Sequence, residues 1–260
     1  MSIAILGTGA IGNYVRAHTD GQITTILTRP ARLTEVQAET GLACVGSAQD
    51  LPDGTTLLID CSGHAGLAEH GPTALARGID VLTVSIGALA DDDIAKKLTD
   101  AAAQGGSKLH LANGAIGALD ALRGARVGEL ERVTYTGRKP PEGWRGSPAE
   151  EVVDLSNPLT EAVAHFTGSA RQAALQYPKN ANVAAAVALA GVGLDDTSVS
   201  LIADPEAKGN THEITAQGAF GELTFTITGK GLPTNPRSSA LAAMSVVAAV
   251  RERSSTIRFA

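Results

Sequence analysis

The sequence predicts an α/β protein with an N-terminal Rossmann-type, doubly wound parallel sheet and a second, α+β domain. Three observations support this fold class. The chain opens on an apolar strand and a glycine-rich turn, strand-like and helix-like segments then alternate, and a late segment alternates in polarity like an antiparallel strand. We expect residues 1–112 with 236–260 to form the first domain, to which a C-terminal helix returns, and residues 113–235 to form the second.

The composition is that of a globular protein without a nucleic-acid partner. Of 260 residues, 43% are hydrophobic and 18% are charged, so a sizeable core can form. The net charge of −6 is opposite to the basic surface that nucleic acids require. The two cysteines, Cys44 and Cys61, provide neither a disulfide framework nor a metal-ligand set. No apolar run could span a bilayer and no signal peptide precedes the first strand, so we expect a cytoplasmic protein that does not contact a membrane.

The first strand, Ile3–Leu6, leads into glycines with the spacing G-x-G-x-x-G. In dinucleotide-binding folds the three glycines permit the tight turn, the approach of a pyrophosphate and the packing of the next helix, whose N-terminus attracts phosphate. A glycine-rich turn without a ligand is the alternative interpretation. The residues predicted to contact the dinucleotide here are Gly7, Gly9, Ala10, Ile11 and Gly12.

The second strand, residues 22–27, ends at Thr28, Arg29 and Pro30. A site specific for NAD usually carries Asp or Glu there, to bind the ribose hydroxyl groups. Arg29 instead suits a 2′-phosphate, to which a guanidinium can donate two hydrogen bonds, although a solvated arginine in a turn is the alternative. We therefore expect NAD or NADP as the cofactor, with NADP tolerated or preferred.

Further buried-type strands are predicted at 55–60, 80–84 and 108–112, separated by helices at 65–77 and 92–103. Ligands of such sheets lie beyond the carboxyl ends of the strands, so loops 61–64 and 85–89 should border the cofactor. The candidate contacts in these loops are Cys61, Ser62 and Ser85. For Cys61 and His64, a packed thiol and a loop imidazole are the simpler interpretations.

The second half of the chain changes character after a second glycine-rich turn at 113–117. Paired prolines within the predicted loop 138–143 do not suit a parallel α/β core. Strands are expected at 133–136, 199–203, 211–217 and 222–228, and helices at 162–175, 183–190 and 238–253.

Two polar stretches of the second half could carry chemistry. Asn182 lies just before an apolar helix, where it could cap the helix or, with its neighbours, hold a carboxamide or carboxylate. His212 lies where a polar loop enters a strand, and a histidine there can act as a general acid or base. A purely structural histidine is the competing interpretation.

The chain resembles the L-aspartate dehydrogenase family in short segments that follow one another along nearly its whole length. The Pro-Lys-Asn-x-Asn-Val and Asn-x-His segments are the most specific of them. Asn113 departs from the family, which more often has Ser before Gly-Ala-Ile-Gly. The matching segments are Gly7–Gly12, Ser85–Leu89, Asn113–Asp120, Arg138–Pro141, Phe166–Arg171, Pro178–Ala184, Ala203–Pro205, Asn210–His212 and Asn235–Ser239.

The resemblance implies the reaction and several site residues. It implies NAD(P)-dependent oxidative deamination of L-aspartate to iminosuccinate, which water converts to oxaloacetate and ammonia, and the reverse reductive amination. It places His212 at the family's active-site histidine, and Ala115 and Asn182 at positions that contact the nicotinamide end of the cofactor. It also suggests a homodimer.

Other assignments remain open at this point. The substrate carboxylates need cationic partners, and Lys139, Arg171 and Lys179 are candidates that the sequence does not rank. A related dehydrogenase or imine reductase acting on another small dicarboxylate would have the same fold. A non-catalytic NAD(P)-binding redox sensor is the alternative from another class. The physiological direction, and a role in NAD biosynthesis or in nitrogen metabolism, are also undecided.

Overall fold

The computed structural model describes residues 2–257, which form two compact units. The first unit contains the chain up to Ala88, then Asp92–Gly114, and the chain from Ala242 onward. The second unit contains Leu89–Asp91 and Ala115–Leu241. A helix that begins at Ala240 therefore carries the chain back into the first unit, as the sequence predicts.

The strands and helices of the described residues are numbered in chain order. The strands are β1 Ser2–Leu6, β2 Ile23–Leu27, β3 Ala43–Val45, β4 Thr55–Asp60, β5 Asp80–Thr83, β6 Leu109–Leu111, β7 Leu130–Lys139, β8 Val163–Ser169, β9 Ser198–Ala203, β10 Asn210–Gly218, β11 Gly221–Gly229, β12 Gly231–Leu232 and β13 Asn235–Ser239. The helices are α1 Ala10–His18, α2 Leu33–Thr40, α3 His64–Ala76, α4 Asp92–Gly105, α5 Leu119–Ala125, α6 Ala170–Gln176, α7 Asn182–Ala190 and α8 Ala240–Ser254.

The first unit is built on a six-stranded parallel sheet with the order β3-β2-β1-β4-β5-β6. The strand order reverses beside β1, which pairs with β2 on one side and β4 on the other. Its strands are nearly continuous apolar runs because both faces are covered, and the core includes Val246, Val247 and Val250 of α8. The reversal point is where a doubly wound sheet opens a crevice for a ligand, and it lies directly at the glycine turn.

The second unit contains a mixed five-stranded sheet with the order β11-β10-β7-β9-β8, and a small sheet of β12 and β13. Strand β10 runs antiparallel to β7 and β11, whereas β7 and β9 are parallel. On β7, residues Val133, Tyr135, Gly137 and Lys139 alternate with more exposed ones, so one face of the sheet is buried. Helix α7 contacts this strand and is buried almost throughout. The predicted fold class is confirmed for both units.

Two local predictions in the second unit are wrong. The helix predicted at 162–175 is the edge strand β8 followed by α6, because the first part of this segment pairs with β9, which is far away in sequence. A local signal for the boundary exists, since Ser169 and Gln172 form a capping box at the start of α6. The loop predicted at 138–143 begins only after Lys139, because β7 continues to that residue in pairing with β9 and β10.

Helix α7 also differs from the expectation for its start. It begins at Asn182 itself, after Ala181, so the side chain of Asn182 does not cap the helix. Within residues 2–257, the longest apolar helices fall short of what a membrane span requires.

Candidate functional site

The glycine turn of the first unit has the steric properties that a dinucleotide-binding turn needs. Gly7 adopts φ +102°, which disfavours a side chain, and a Cβ there would lie 2.9 Å from the carbonyl oxygen of Cys61. A Cβ at Gly12 would overlap the carbonyl oxygen of Gly7. Gly9 in contrast has open space where its Cβ would be. The crowded glycines hold the turn against β4 and α1, and the open one leaves room for a ligand at the backbone.

The first turn of α1 offers backbone donors at this opening. The helix begins at Ala10, followed by Ile11. The preceding residue, Gly9, has no side chain that could accept a hydrogen bond from the first backbone N–H groups of the helix. The N–H groups of a first turn have no partner within the helix, and they carry its positive dipole end. Together with the open space at Gly9, these groups fit a pyrophosphate. The turn therefore passes a steric test for a dinucleotide cofactor.

A buried carboxylate joins the two loops that follow β4 and β5. Asp60, 1% exposed, accepts hydrogen bonds from the Ser62 backbone and hydroxyl at 2.9 and 2.5 Å. It also accepts from the hydroxyl groups of Thr83 and Ser85, each at 2.6 Å. Burial of a charge requires such saturation with donors. Ser62 and Ser85 are thus held at the carboxyl ends of neighbouring strands, and their hydroxyl protons are committed to Asp60.

Two further residues of these loops have other surroundings. Cys61 lies against the glycine turn, and burial raises the pKa of its thiol well above the usual range, which keeps it protonated. His64 is the first residue of α3. The burial of Cys61 and its protonated thiol therefore agree with the simpler interpretation from the sequence, that Cys61 is a packed thiol.

Two arginines follow β2, and they differ in their contacts. Arg29, the sequence candidate for a 2′-phosphate, has an exposed side chain. Arg32, three residues later, donates to the hydroxyl of Thr8 within the glycine turn at 2.9 Å. Its other nitrogens contact Glu35 at 3.1 and 2.6 Å. The guanidinium that contacts the turn is therefore that of Arg32. The sequence analysis did not select this residue, although Arg32 ends a short helix that directly follows β2.

In the second unit, His212 lies inside β10 and contacts a tyrosine of the neighbouring strand. It is 5% exposed, and its Nδ1 lies 2.7 Å from the hydroxyl of Tyr135. The register explains this contact, because His212 pairs with Gly137, and Tyr135 precedes that glycine by two residues on the same face. A Cβ at Gly137 would lie 2.8 Å from the Tyr135 hydroxyl. The missing side chain of Gly137 thus makes room for Tyr135 to reach the histidine.

Lys139 follows on the same face of β7, and its side chain is also buried. It is 8% exposed, donates to Asn180 Oδ1 at 2.8 Å, and lies 4.5 Å from the centre of the Trp144 ring. Burial lowers the pKa of Lys139 to about 8. Burial and, second, the charge of Lys139 lower the pKa of His212 to about 4. At neutral pH the site therefore holds a neutral imidazole close to a cation.

A second buried histidine, His165, belongs to the same region of this unit. Its Nδ1 lies 3.2 Å from the hydroxyl of Tyr177, and its ring stands edge-on to Trp144 with the ring centres 4.3 Å apart. Burial and then the charge of Lys139 lower the pKa of His165 to about 4. No local pattern in the sequence distinguishes His165 or Tyr135, because the significance of each depends on its neighbours on other strands.

The other sequence candidates lie elsewhere in the second unit. Arg171 is committed to the Asp195 carboxylate at 2.7 and 2.9 Å and to the carbonyl oxygen of Ala90. Lys179 is exposed in the turn before α7. Ala115 is 9% exposed, and Asn182 is half-buried at the start of α7. Of the three cationic candidates, only Lys139 is brought to His212.

Comparison with known proteins gives consistent matches over both units. A family model described as "Aspartate dehydrogenase, C-terminal" matches residues 120–253, and one described as "Homoserine dehydrogenase, NAD binding domain" matches residues 7–112. An L-aspartate dehydrogenase from Ruegeria pomeroyi is 57% identical over 98% of this chain and 94% of its own length. One from Pseudomonas aeruginosa is 47% identical over 96% of each chain.

Solved structures agree on the fold. The crystal structure of aspartate dehydrogenase from Thermotoga maritima matches with a TM-score of 0.81 at 23% identity, over 100% of this chain and 99% of that one. A hyperthermophilic archaeal homoserine dehydrogenase in complex with NADPH matches with a TM-score of 0.58 at 14% identity, over 99% of each chain.

Proposed function

The chain belongs to the L-aspartate dehydrogenase family, and we propose that it catalyses the NAD(P)-dependent oxidative deamination of L-aspartate. The product, iminosuccinate, is hydrolysed to oxaloacetate and ammonia, and the same site carries out the reverse reductive amination. The observation that supports this proposal most directly is a buried, neutral His212 held by Tyr135 near the buried cation Lys139. This set provides a proton acceptor and a positive charge for an anionic amino-acid substrate.

We propose that the first unit binds the dinucleotide and the second unit binds the substrate. Gly7, Gly9, Ala10, Ile11 and Gly12 would hold the pyrophosphate by backbone contacts, for the steric reasons given above. The loops carrying Cys61, Ser62 and Ser85 would border the cofactor, with Ala115 and Asn182 at its nicotinamide end. Arg32, together with Arg29, would meet a 2′-phosphate, so NADP is accepted as well as NAD.

His212 is proposed to move the proton that deamination requires. An amino group must be unprotonated before Cα can release a hydride, and the nicotinamide supplies the acceptor for that hydride. If Nδ1–H donates to the Tyr135 oxygen, the lone pair of Nε2 is available to accept the ammonium proton of the substrate. The same hydrogen bond stabilises the imidazolium that results. Tyr135 is thus a positioning residue, and His212 is the catalytic base.

Lys139 couples substrate charge to the basicity of His212. Burial and, second, the positive charge of Lys139 lower the pKa of His212, so a substrate carboxylate that pairs with Lys139 would remove the second of these two causes. A base is most effective when its pKa lies near the working pH. A substrate carboxylate beside Lys139 would therefore favour the protonated form of His212 more than the site without that carboxylate does.

The proposal is tested by incubating the protein with oxaloacetate and ammonium and following oxidation of NADH and NADPH in parallel. Turnover with one or both cofactors is the expected result, and its loss by about 10²–10⁴-fold in His212→Ala follows from the role of a general base. If neither cofactor is oxidised, the proposed reaction is wrong. Binding of cofactor without turnover on any amino acid would instead favour the redox-sensor alternative.

We also propose that the protein acts in the cytoplasm as a homodimer. The support is that the chain belongs to the L-aspartate dehydrogenase family. Light scattering on the purified protein should give twice the chain mass of 26.4 kDa. A mass of one chain at assay concentrations would overturn the dimer.

A further inference from the structure

The charge of Lys139 has no carboxylate partner in the part of the chain that the structure describes. Its ammonium group contacts the neutral Asn180 amide and the face of Trp144, and none of the ion pairs among residues 2–257 includes it. Buried charges in proteins are normally paired, because removing an ion from water costs several kcal/mol. An ammonium in this position is suited to an anion that comes from outside the chain.

His165 has one buried ring nitrogen that no other group of the protein contacts by a hydrogen bond among the described residues. The side chain is 6% exposed, and its Nε2 is a buried nitrogen with no hydrogen-bond partner among the described residues. The pairing of β8 with β9 is irregular at this point, because Ala164 and Phe166 face consecutive residues of β9, which leaves His165 as a bulge. Bulges redirect side chains and are frequent beside active sites. The bulge therefore turns His165 into the interior of the unit, where a free ring nitrogen is costly unless a ligand meets it.

Both side chains contact the same aromatic ring, that of Trp144. The Lys139 ammonium lies 4.5 Å from the centre of Trp144, and the His165 ring centre lies 4.3 Å from it. The backbone register agrees, since Lys139 pairs with Ala203 of β9, which in turn pairs with Val163 of β8. We propose that Lys139 and His165 together form the subsite for a carboxylate group of the substrate, which rests on the proposed function.

The chemistry of the pair fits a carboxylate better than a purely structural role. A carboxylate has two oxygens, so one can accept from the ammonium group and the other from an Nε2–H of His165. Both bonds would be charge-assisted, and the carboxylate would give the Lys139 ammonium a negative partner and His165 Nε2 the hydrogen-bond partner that it lacks among the described residues. His212 is not needed for this contact, because its Nδ1 is committed to Tyr135 and its Nε2 is kept for proton transfer.

The first test measures binding of succinate, a dicarboxylate without an amino group to oxidise, to the full chain in the presence of NADP⁺. Calorimetry should show binding that weakens about tenfold or more in Lys139→Met and about fivefold in His165→Phe, because each substitution removes one strong hydrogen bond. Lys139→Arg retains the charge and should retain most of the affinity. Lys208→Met removes an exposed lysine of the same unit and should change nothing. If succinate fails to bind, or binds both apolar variants as tightly as the wild type, the inference is wrong.

A second measurement, by nuclear magnetic resonance, uses the wild-type protein and so does not depend on the folding of a variant. In wild-type protein whose histidines carry a nitrogen isotope label, succinate should shift the Nε2 resonance of His165. Butyrate, which has one carboxylate, should shift the same resonance only if one carboxylate is enough for binding. An unchanged His165 resonance at saturating succinate overturns the subsite. In kinetics, Lys139→Met should raise KM for oxaloacetate far more than it lowers kcat. An inactive wild type would refute the proposed reaction, while the succinate measurements would still decide the carboxylate subsite.

The kinetic comparison of aspartate with alanine identifies which carboxylate the pair binds. If the pair binds the side-chain carboxylate, Lys139→Met should weaken the selection of aspartate over alanine. If it binds the α-carboxylate, the two substrates should lose activity to the same extent. Either result supports the subsite, and unchanged kinetics with both substrates would contradict it.

Discussion

Removing the Tyr135 hydroxyl by the substitution Tyr135→Phe takes away the group that lies 2.7 Å from His212 Nδ1. The phenylalanine ring fills the same space, so the change leaves the packing intact and leaves one imidazole nitrogen without a partner in a site that is only 5% exposed. The loss of one partner of a buried hydrogen bond costs about 1–2 kcal/mol, which corresponds to a decrease in Tm of about 2–8 °C for a chain of this size.

The effect on catalysis should exceed the effect on stability. Without the tyrosine oxygen, the imidazole loses the acceptor that fixes its tautomer and stabilises its protonated form. We expect kcat to decrease about tenfold to a hundredfold, part of the whole contribution of about 10²–10⁴ that a general base makes. The acidic limb of the pH profile of kcat/KM should move to lower pH, because the imidazolium is destabilised. KM for aspartate should change less than about threefold, since Tyr135 is not assigned a substrate contact.

The assay is the rate of NAD(P)H formation with L-aspartate over a range of pH, with Tm measured on the same preparations. Tyr14→Phe is a matched control, because Tyr14 stacks on His18 in the first unit and has no role in the site. In the background of His212→Ala, Tyr135→Phe should have almost no further effect, since the two residues act as one unit. A variant with wild-type kcat and an unshifted acidic limb would refute the positioning role of Tyr135.

Three further predictions concern other parts of the two units. Arg32, which donates to Thr8 of the glycine turn, is proposed to contact the 2′-phosphate of NADPH. Arg32→Ala should therefore raise KM for NADPH about tenfold and leave KM for NADH nearly unchanged, because this charge-assisted contact would be lost. An equal rise with both cofactors would contradict the proposal. Gly137→Ala should lower kcat about tenfold or more in steady-state assays. The new Cβ would lie 2.8 Å from the Tyr135 hydroxyl and would displace that hydroxyl from His212. A variant with wild-type kcat would disprove this steric argument. The pKa values of His165 and His212 are about 4 in the folded state against an ordinary 6.5, so their contribution to the free energy of unfolding is complete above about pH 6.5 and lost as the pH falls to about 4. Urea unfolding at several pH values should show this decrease in the free energy of unfolding, up to about 3 kcal/mol per histidine. If the free energy of unfolding of a His165→Gln variant fell with pH as steeply as that of the wild type, the contribution of His165 would be refuted.

Controls for these predictions are available in the same chain. Arg29→Ala removes the exposed arginine that is proposed to act together with Arg32, and a selective loss of NADPH binding in that variant but not in Arg32→Ala would assign the 2′-phosphate contact to Arg29 alone. Gly124→Ala places a Cβ in helix α5 where nothing lies within 4 Å, so it should leave activity unchanged.

Local sequence determined most of the first unit, although the short edge strand β3 and helix α2 were not predicted. The glycine turn, the apolar strands and the helices between them each carry their own signal within a few residues, because parallel strands covered on both faces read as continuous apolar runs. The predicted strand at residues 55–60 coincides with β4 for the same reason. The identity of the reaction came from short segments such as Asn210–His212, whose chemistry is tied to the family rather than to a fold.

Tertiary structure alone decided which side chains meet. Strand β8 was predicted as a helix because its partner β9 follows more than one element later, and long-range pairing leaves no local signal. His165 gains its significance from a bulge in that same pairing, and Tyr135 from the absence of a side chain at Gly137 on the strand opposite His212. Among the cationic candidates, Lys139 is distinguished by its burial away from water, whereas Arg171 forms an ion pair with Asp195. Residue type indicates what a side chain can do, but burial and register decide which charges remain uncompensated, and these are the groups that a substrate can meet.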